Sequence, residues 1–244
     1  MDAGQVQVFF EDLLRRMQTD YLDIGMIHMI DNPAEYEAMF NGPILQYALR
    51  LKERGVIRAL GVSSHNPTTA LAAAKTGLVD VILFSVNPAY DLLSEKAERP
   101  RSLDNRFFEK FDAFSGINRV REELYSYCAA NGIGITVMKS LAAGALLSAE
   151  TSPFGRAMTV QQCMHYALTR PGVASVLVGM ASPEQVHDCL RYETMPEREK
   201  DYSFIFAESP KYSINGRCMY CNHCLPCPKH IDVAPVSYTH LRAH

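Results

Sequence analysis

The chain has 244 residues, of which 24 are Lys or Arg and 27 are Asp or Glu, and 48% of the sequence is hydrophobic. These proportions are typical of a globular protein, and the net charge of −3 argues against a polycationic nucleic-acid binder or a disordered chain. No uncharged apolar run approaches the roughly 18 residues of a membrane span, and charges interrupt the N-terminal apolar stretch. We therefore expect neither a signal peptide nor a membrane or nucleic-acid partner.

Short β-branched runs alternate with longer amphipathic stretches along most of the chain. In chain order, the pattern predicts a helix over 5–17, a strand over 22–30, a helix over 41–54, a strand over 57–63, a helix over 67–76, a strand over 79–86, a helix over 118–131, a strand over 133–138, a helix over 159–168, a strand over 173–178 and a helix over 183–192. Apolar strands that alternate with helices predict an α/β fold with a parallel sheet covered by helices.

Two architectures fit these five strand–helix units, an open doubly wound sheet and an arc of a (β/α)8 barrel. No Gly-rich dinucleotide fingerprint follows the first strand, which favours the barrel. Polar or small residues collect at the carboxyl ends of the predicted strands, among them His28, Ser63, Ser64, Lys139 and the stretch 179–182. Because barrels carry their chemistry at the carboxyl ends of strands, these residues mark the predicted functional site.

Several stretches of the sequence resemble the aldo-keto reductases. They are 14–31 (LRRMQTDYLDIGMIHMID), 57–66 (IRALGVSSHN), 132–147 (GIGITVMKSLAAGALL) and 176–186 (VLVGMASPEQV), which are similar to strand regions four, five, seven and eight of that family. The tail 218–233 (CMYCNHCLPCPKHIDV) resembles the ferredoxin-type appendage of one bacterial branch. The resemblance implies a (β/α)8 barrel that binds NADP(H) or NAD(H) and transfers hydride between the nicotinamide and a small-molecule carbonyl substrate.

Seven positions match functional residues of the family. His28 matches the catalytic histidine that orients the carbonyl. The matches to cofactor-binding positions are Ser63 and Ser64 at the nicotinamide carboxamide, Met138 at the nicotinamide ring, and Gly179, Ser182 and Gln185 at the adenosine phosphate end. The family's catalytic Asp, Tyr and Lys have no match in this sequence. We therefore expect a partial barrel over 1–205, holding family strands 4–8, and an inactive copy of the enzyme.

The seven cysteines are unevenly distributed. Cys218, Cys221, Cys224 and Cys227 follow one another at steps of three and are followed by Pro228, a pattern typical of iron–sulfur ligation. A [4Fe–4S] cluster over a ferredoxin-like segment 206–235 is the favoured prediction, and zinc is the alternative. The remaining three, Cys128, Cys163 and Cys189, lie on predicted helix faces and are predicted to be buried packing residues rather than metal ligands. The cluster would either pass electrons to a partner or hold the C-terminal segment in place.

The last nine residues, 236–244 (VSYTHLRAH), resemble the translation of a transposase adaptor, so we expect a non-native tail and a chain that is a fragment beginning at an internal methionine. The overall expectation is a cytoplasmic NAD(P)H-dependent carbonyl or alcohol oxidoreductase with an iron–sulfur cluster. An iron–sulfur electron-transfer protein and a non-catalytic binding or scaffold protein on a partial barrel remain as alternatives.

Overall fold

The computed structural model describes residues 3–93, 117–207 and 227–231. The strands are β1 (Leu22–Ile27), β2 (Ile57–Ser64), β3 (Val81–Ser85), β4 (Gly134–Met138) and β5 (Val173–Val176). The helices are α1 (Ala3–Met17), α2 (Pro33–Phe40), α3 (Pro43–Glu53), α4 (Pro67–Lys75), α5 (Pro88–Asp91), α6 (Arg119–Ala130), α7 (Val160–Leu168), α8 (Pro183–Leu190), α9 (Glu197–Lys200) and α10 (Phe204–Ala207). Two short 3-10 segments cover Ala142–Leu147 and Arg191–Glu193.

The five strands form one parallel sheet whose order, β1-β2-β3-β4-β5, is the order of the chain. A doubly wound sheet reverses its strand order at a switch point, whereas a barrel adds each strand beside the last. The predicted parallel α/β sheet is therefore confirmed. Of the two predicted architectures, the strand order is consistent with an arc of a (β/α)8 barrel.

One face of the sheet is covered by helices. Leu60, Val62, Ile82, Phe84 and Val137 point to this face, and each is at most 1% exposed. Helices α3 and α4 pack on β2, α6 packs on β4, and α7 packs on β5. Burial of this continuous apolar surface is the main favourable contribution to folding, and it places the core between the sheet and its helices.

The opposite face, which we call the open face, is apolar but only partly covered. Ile24 is 39% exposed, Met26 is 37% exposed and Leu177, just after β5, is 57% exposed. The alternation of a strand places Ile24, Met26 and Gly61 on this side, and the Met26 side chain lies over Gly61, where a Cβ would approach its Cε to 2.9 Å. In a closed (β/α)8 barrel the corresponding face is the packed interior.

Helix α1 packs at the β1 edge of the sheet. Its contact with α3 includes Phe10 and Tyr47, whose ring centroids are 6.5 Å apart at an interplanar angle of 86°. A largely apolar cavity of about 360 Å3 lies between α1, β1 and α3. None of the helices in the described ranges combines the length and apolar composition that crossing a membrane requires.

Local signals in the sequence explain where most helices begin. Asn32, Asn66, Asn87 and Ser182 each accept a hydrogen bond from a backbone N–H in the first turn, and each is followed by a proline at the first helical position. Thr159 forms a complete capping box at the start of α7. The caps at Asn32, Asn66, Asn87 and Ser182 fix helix starts within a few residues of the carboxyl ends of β1, β2, β3 and β5.

Several elements differ from the sequence prediction. The short helices α5, α9 and α10 and the 3-10 segment Ala142–Leu147 were not predicted, and two further differences lie near β1. The first predicted strand, 22–30, ends at Ile27, because Met29 adopts a left-handed backbone conformation with φ of 60°. Helix α2 was not predicted, although Asn32 followed by Pro33 is a helix-start signal. Its Tyr36 and Phe40 rings stack with centroids 4.6 Å apart, which supports a helix of only eight residues.

Candidate functional site

The carboxyl ends of β1 and β2 bring His28 and Ser63 into direct contact. The two strands pair in parallel up to Ile27 and Val62, so the next residues, His28 and Ser63, are neighbours. His28 Nδ1 lies 2.8 Å from Ser63 Oγ. The His28 side chain is exposed, whereas Ser63 is 1% exposed. The first predicted catalytic residue and the first predicted cofactor residue are therefore hydrogen-bonded to each other.

The backbone after His28 wraps around Ser63. The Met29 N–H donates to Ser63 Oγ over 2.8 Å, and the Ile30 N–H donates to the Ser63 carbonyl oxygen over 3.0 Å. Met29 is held at a positive φ, a conformation that costs a non-glycine residue of the order of 1 kcal/mol or more. Backbone strain of this kind persists only where surrounding contacts enforce it, and here those contacts converge on Ser63.

Ser64 lies on the other side of the sheet. Its side chain is 0% exposed, and its Oγ donates to the Ile30 carbonyl oxygen over 2.8 Å and lies 3.0 Å from Thr69 Oγ1. Successive residues of a strand point to opposite faces, so Ser63 and Ser64 cannot both reach the open face. The structure brings Ser63 to His28 but places Ser64 among the loops and helices behind the sheet.

A carboxylate that the sequence analysis did not single out joins the same two strand ends. Asp31 accepts the His65 backbone N–H over 2.7 Å and lies 3.0 Å from His65 Nδ1. The Asn66 amide nitrogen donates to the Asp31 carbonyl oxygen over 2.9 Å, while Asn66 Oδ1 caps α4 by accepting the Thr68 N–H. This network fixes the β1 and β2 loops relative to each other.

Met138 lies at the carboxyl end of β4, opposite Ser85, which places it on the open face. The following residue, Lys139, is exposed and has a φ of 64°, and its carbonyl oxygen accepts a hydrogen bond from the Asn87 amide over 2.8 Å. Strained non-glycine residues thus follow both the β1 and the β4 strand ends. Such strain commonly accumulates where binding or catalytic groups are held in place.

The third group of predicted residues surrounds the start of α8. Gly179 is exposed, and a Cβ added to it would have no neighbour within 4 Å. Ser182 Oγ accepts the Gln185 N–H over 3.4 Å, and Gln185 Oε1 accepts the Ala181 N–H over 2.6 Å. The Ser182 side chain lowers the pKa of the exposed Glu184 carboxyl, so this first turn carries a negative charge.

The buried tyrosines of the core are not suited to donate protons near neutral pH. Tyr125 and Tyr166 both donate to the Asp91 carboxylate, over 2.6 and 2.9 Å, and Arg121 Nε donates to it over 2.7 Å. Burial raises the pKa of both phenols well above their usual range, and it raises the pKa of Tyr90 to about 12. This network was not found from the sequence, because the residues that donate to Asp91 lie 30 or more positions from it in the chain.

Of the predicted metal ligands, Cys227 alone lies in the described residues. It is partly exposed, and its carbonyl oxygen accepts the His230 N–H over 2.8 Å. Cys218, Cys221 and Cys224 lie outside the described residues, as does the tail 236–244. Within the described ranges, no group of three or more His, Cys, Asp or Glu side chains is arranged to hold a metal ion.

The other cysteines separate into two kinds. Cys128 and Cys163 are fully buried, and burial raises the pKa of each thiol to about 12, which agrees with the predicted packing role. Cys189 is partly exposed, so the prediction that it is buried is wrong. The reason is that α8 packs against α7 and the 3-10 segment that follows it, and none of its residues is fully buried.

Comparison with known proteins finds one matching sequence family and several similar solved structures. The model of the aldo/keto reductase family matches residues 1–161. An aldo-keto reductase from Bacillus halodurans in its holo form is 21% identical with a TM-score of 0.55, over 80% of this chain and 63% of its own. A thermostable aldo-keto reductase solved with the inhibitor epalrestat is 20% identical with a TM-score of 0.51, over 82% and 65% of the two chains.

These likenesses to solved structures show a shared fold. The chain spans about three fifths of the length of the solved structures that it matches. No curated protein matches the sequence.

Proposed function

This chain belongs to the aldo/keto reductase family, and on that premise we propose that the protein is an NAD(P)H-dependent oxidoreductase in which His28 orients the carbonyl of a small-molecule substrate. The observation that carries the proposal is the exposed His28 imidazole, held by Ser63 at the carboxyl end of β1. A neutral imidazole N–H can donate to a carbonyl oxygen and polarise it, which favours attack at the carbonyl carbon.

The nicotinamide is assigned to the open face beside His28. When bound, the reduced cofactor supplies the hydride. Ser63, at the end of β2 and in contact with His28, is assigned to the carboxamide end of the nicotinamide by the family resemblance. Met138 offers an apolar, polarisable thioether on the same face. Ser64 is not part of this assignment, since its hydroxyl lies on the other face.

The adenosine end is assigned to Gly179, Ser182 and Gln185. The exposed, uncrowded backbone at Gly179 supports this assignment, because a bulky ligand can approach it closely. The charge of Glu184 acts against it, since a carboxylate in the first turn of α8 repels a phosphate. Mutation of Glu184 to Gln is therefore expected to strengthen binding of the phosphate-bearing cofactor.

We propose that this chain alone does not turn over carbonyl substrates. The family resemblance implies a tyrosine general acid with a lysine and an aspartate beside it, and the sequence has no match for them. Tyr125 and Tyr166 do not substitute for that acid, because both are buried against Asp91 and their pKa values are raised rather than lowered.

Fluorescence of NADPH and NADH, titrated with the 244-residue chain and then with a test aldehyde, tests this proposal. We expect saturable cofactor binding, weaker aldehyde binding in His28→Ala than in the native chain, and no steady NAD(P)H oxidation. His187→Ala, which removes an exposed imidazole from α8, serves as the matched control and is expected to leave aldehyde binding unchanged. Absence of cofactor binding contradicts the oxidoreductase assignment, and steady oxidation contradicts the proposed inactivity.

We also propose that Cys218, Cys221, Cys224 and Cys227 bind a [4Fe–4S] cluster over the segment 206–235. The three equal spacings followed by Pro228 support it, and the partly exposed Cys227 contrasts with the two buried thiols of the barrel. Such a cluster, and free thiols elsewhere, fit a reducing cytoplasm.

Iron and acid-labile sulfide, measured after anaerobic purification, test the cluster. We expect equal amounts of both in the native chain and a clear loss in Cys227→Ser, whereas Cys189→Ser, the partly exposed control, retains them. Detection of zinc without acid-labile sulfide would contradict the [4Fe–4S] proposal and favour a zinc site at the same cysteines. Reduction of the cluster by NADPH without any carbonyl would favour the electron-transfer alternative.

A further inference from the structure

Ser63 Oγ lies between two polar neighbours at the end of β1. The Met29 backbone nitrogen is 2.8 Å away on one side, and His28 Nδ1 is 2.8 Å away on the other. The Met29 N–H can only donate, so Ser63 Oγ accepts this hydrogen bond. The distance alone does not show whether Ser63 Oγ or His28 Nδ1 is the donor in the second bond, because an imidazole nitrogen can donate or accept.

The position of the hydroxyl proton decides that direction. Ser63 is 1% exposed, so water does not serve as its acceptor. Within the part of the chain that the structure describes, His28 Nδ1 is the acceptor that lies within hydrogen-bond distance of Ser63 Oγ. If Nδ1 carried a proton instead, the serine would receive two hydrogen bonds, and its own buried proton would have no partner.

We infer that Ser63 is a positioning residue that sets the tautomer of His28. Its hydroxyl donates to Nδ1, so the neutral imidazole carries its proton on Nε2 and presents an N–H donor rather than a lone pair. For the carbonyl substrate this inference rests on the proposed function, because only the donor form attracts a carbonyl oxygen. The tautomer itself follows from the hydrogen bonds of the chain.

The surrounding backbone makes this arrangement rigid. The Ile30 N–H donates to the Ser63 carbonyl oxygen, and the strained Met29 directs its own N–H to the Ser63 hydroxyl. Consecutive groups on residues 28, 29 and 30 therefore all contact one serine. An active-site group is held in productive geometry by such a supporting shell.

Nitrogen-15 spectra of the 244-residue chain with labelled histidine test the inference near pH 8, where imidazoles are neutral. The His28 signals are assigned by their absence in His28→Gln. We expect Nε2 to be the protonated nitrogen and Nδ1 the unprotonated one in the native chain. In Ser63→Ala the imidazole loses its fixing partner, so the Nδ1-protonated form becomes detectable, and Ser63→Thr, which keeps a hydroxyl, restores the native tautomer.

Ser64→Ala is the matched control, since it removes the neighbouring buried hydroxyl, which contacts the Ile30 carbonyl and Thr69 rather than His28. It is expected to leave the His28 tautomer unchanged. A protonated Nδ1 in the native chain overturns the inference, as do equal effects of Ser63→Ala and Ser64→Ala. If Ser63→Ala does not fold, the native spectrum and Ser63→Thr still decide. Because no cofactor or substrate is present, failure of the proposed function leaves this result untouched.

Discussion

The Asp91 carboxylate joins three helices, because it lies at the end of α5 and accepts hydrogen bonds from α6 and α7. Arg121 and Tyr125 donate to one oxygen and Tyr166 to the other, and Asp91 is 0% exposed. Arg121 Nη2 also donates to the Ser85 carbonyl oxygen, which ties the cluster to the end of β3. A buried charge of this kind is tolerated because all of its partners are present at once.

Removal of the carboxylate in Asp91→Ala is expected to lower the free energy of unfolding by about 3–5 kcal/mol, because it leaves the Arg121 charge buried without its counter-ion. Urea denaturation measures this loss. The control is Asp23→Ala, which breaks the exposed 2.7 Å ion pair with Arg58 and is expected to cost below about 1 kcal/mol. Equal losses in the two variants would contradict the structural role of the cluster.

At the scale of elements, the sequence predicted all five strands and the longer helices other than α2 to within a few residues, because the hydrophobic periodicity of a strand or helix is a local signal. It also predicted that His28 lies at a strand end. It could have shown that Ser63 and Ser64 point to opposite faces, since a period of two decides this. The contacts of Asp31 and Asp91 were not predictable, because they depend on how loops distant in sequence meet.

His165, which lies where α7 meets α9, is expected to make the free energy of unfolding depend on pH. Its Nδ1 lies 3.0 Å from the Tyr192 hydroxyl, and its Nε2 lies 3.8 Å from the Glu197 carboxylate. Burial lowers the pKa of His165, the positive Lys200 and Arg170 lower it further, and Glu197 and Asp201 oppose them by raising it. The unfolded chain therefore binds a proton more readily than the folded chain does. The resulting stability is present above about pH 6.5, the usual value, and is lost as the pH falls towards the lowered folded value.

Urea denaturation at pH 7.5 and 5.5 tests this prediction against two variants. The native chain is expected to lose more stability on acidification than His165→Asn, which does not titrate. His187→Asn removes an exposed imidazole on α8 and is expected to behave like the native chain. The same pH dependence in all three chains would contradict the prediction.

For the molecule as a whole, the two faces of the sheet differ in what covers them. On the helix-covered face Ile82 is 0% exposed, whereas on the open face Ile24 is 39% exposed. The same substitution should therefore have unequal effects on the two faces. We expect Ile82→Ala, on the covered face, to cost about 2–5 kcal/mol of unfolding free energy, and Ile24→Ala to cost about 1 kcal/mol.

Urea denaturation of both variants measures the difference. Equal losses would mean that the open face is covered in solution, and sedimentation at several protein concentrations would then show whether a second copy covers it. The comparison thus reports on the state of the open face without any need for catalytic activity.

The agreement between strand order and chain order has a consequence for how the molecule is made. Each strand pairs with the strand that precedes it in sequence, so its pairing partner has already been synthesised when the strand emerges. During synthesis, β1 and α3 can offer an edge to β2 as it leaves the ribosome, and each later unit adds to the edge just formed. Growth by successive addition pairs only consecutive units, so the paired strands are closer in sequence than they would be in a sheet with a shuffled strand order. It also makes the sheet a structure that can be lengthened by another unit without rebuilding the pairs already made.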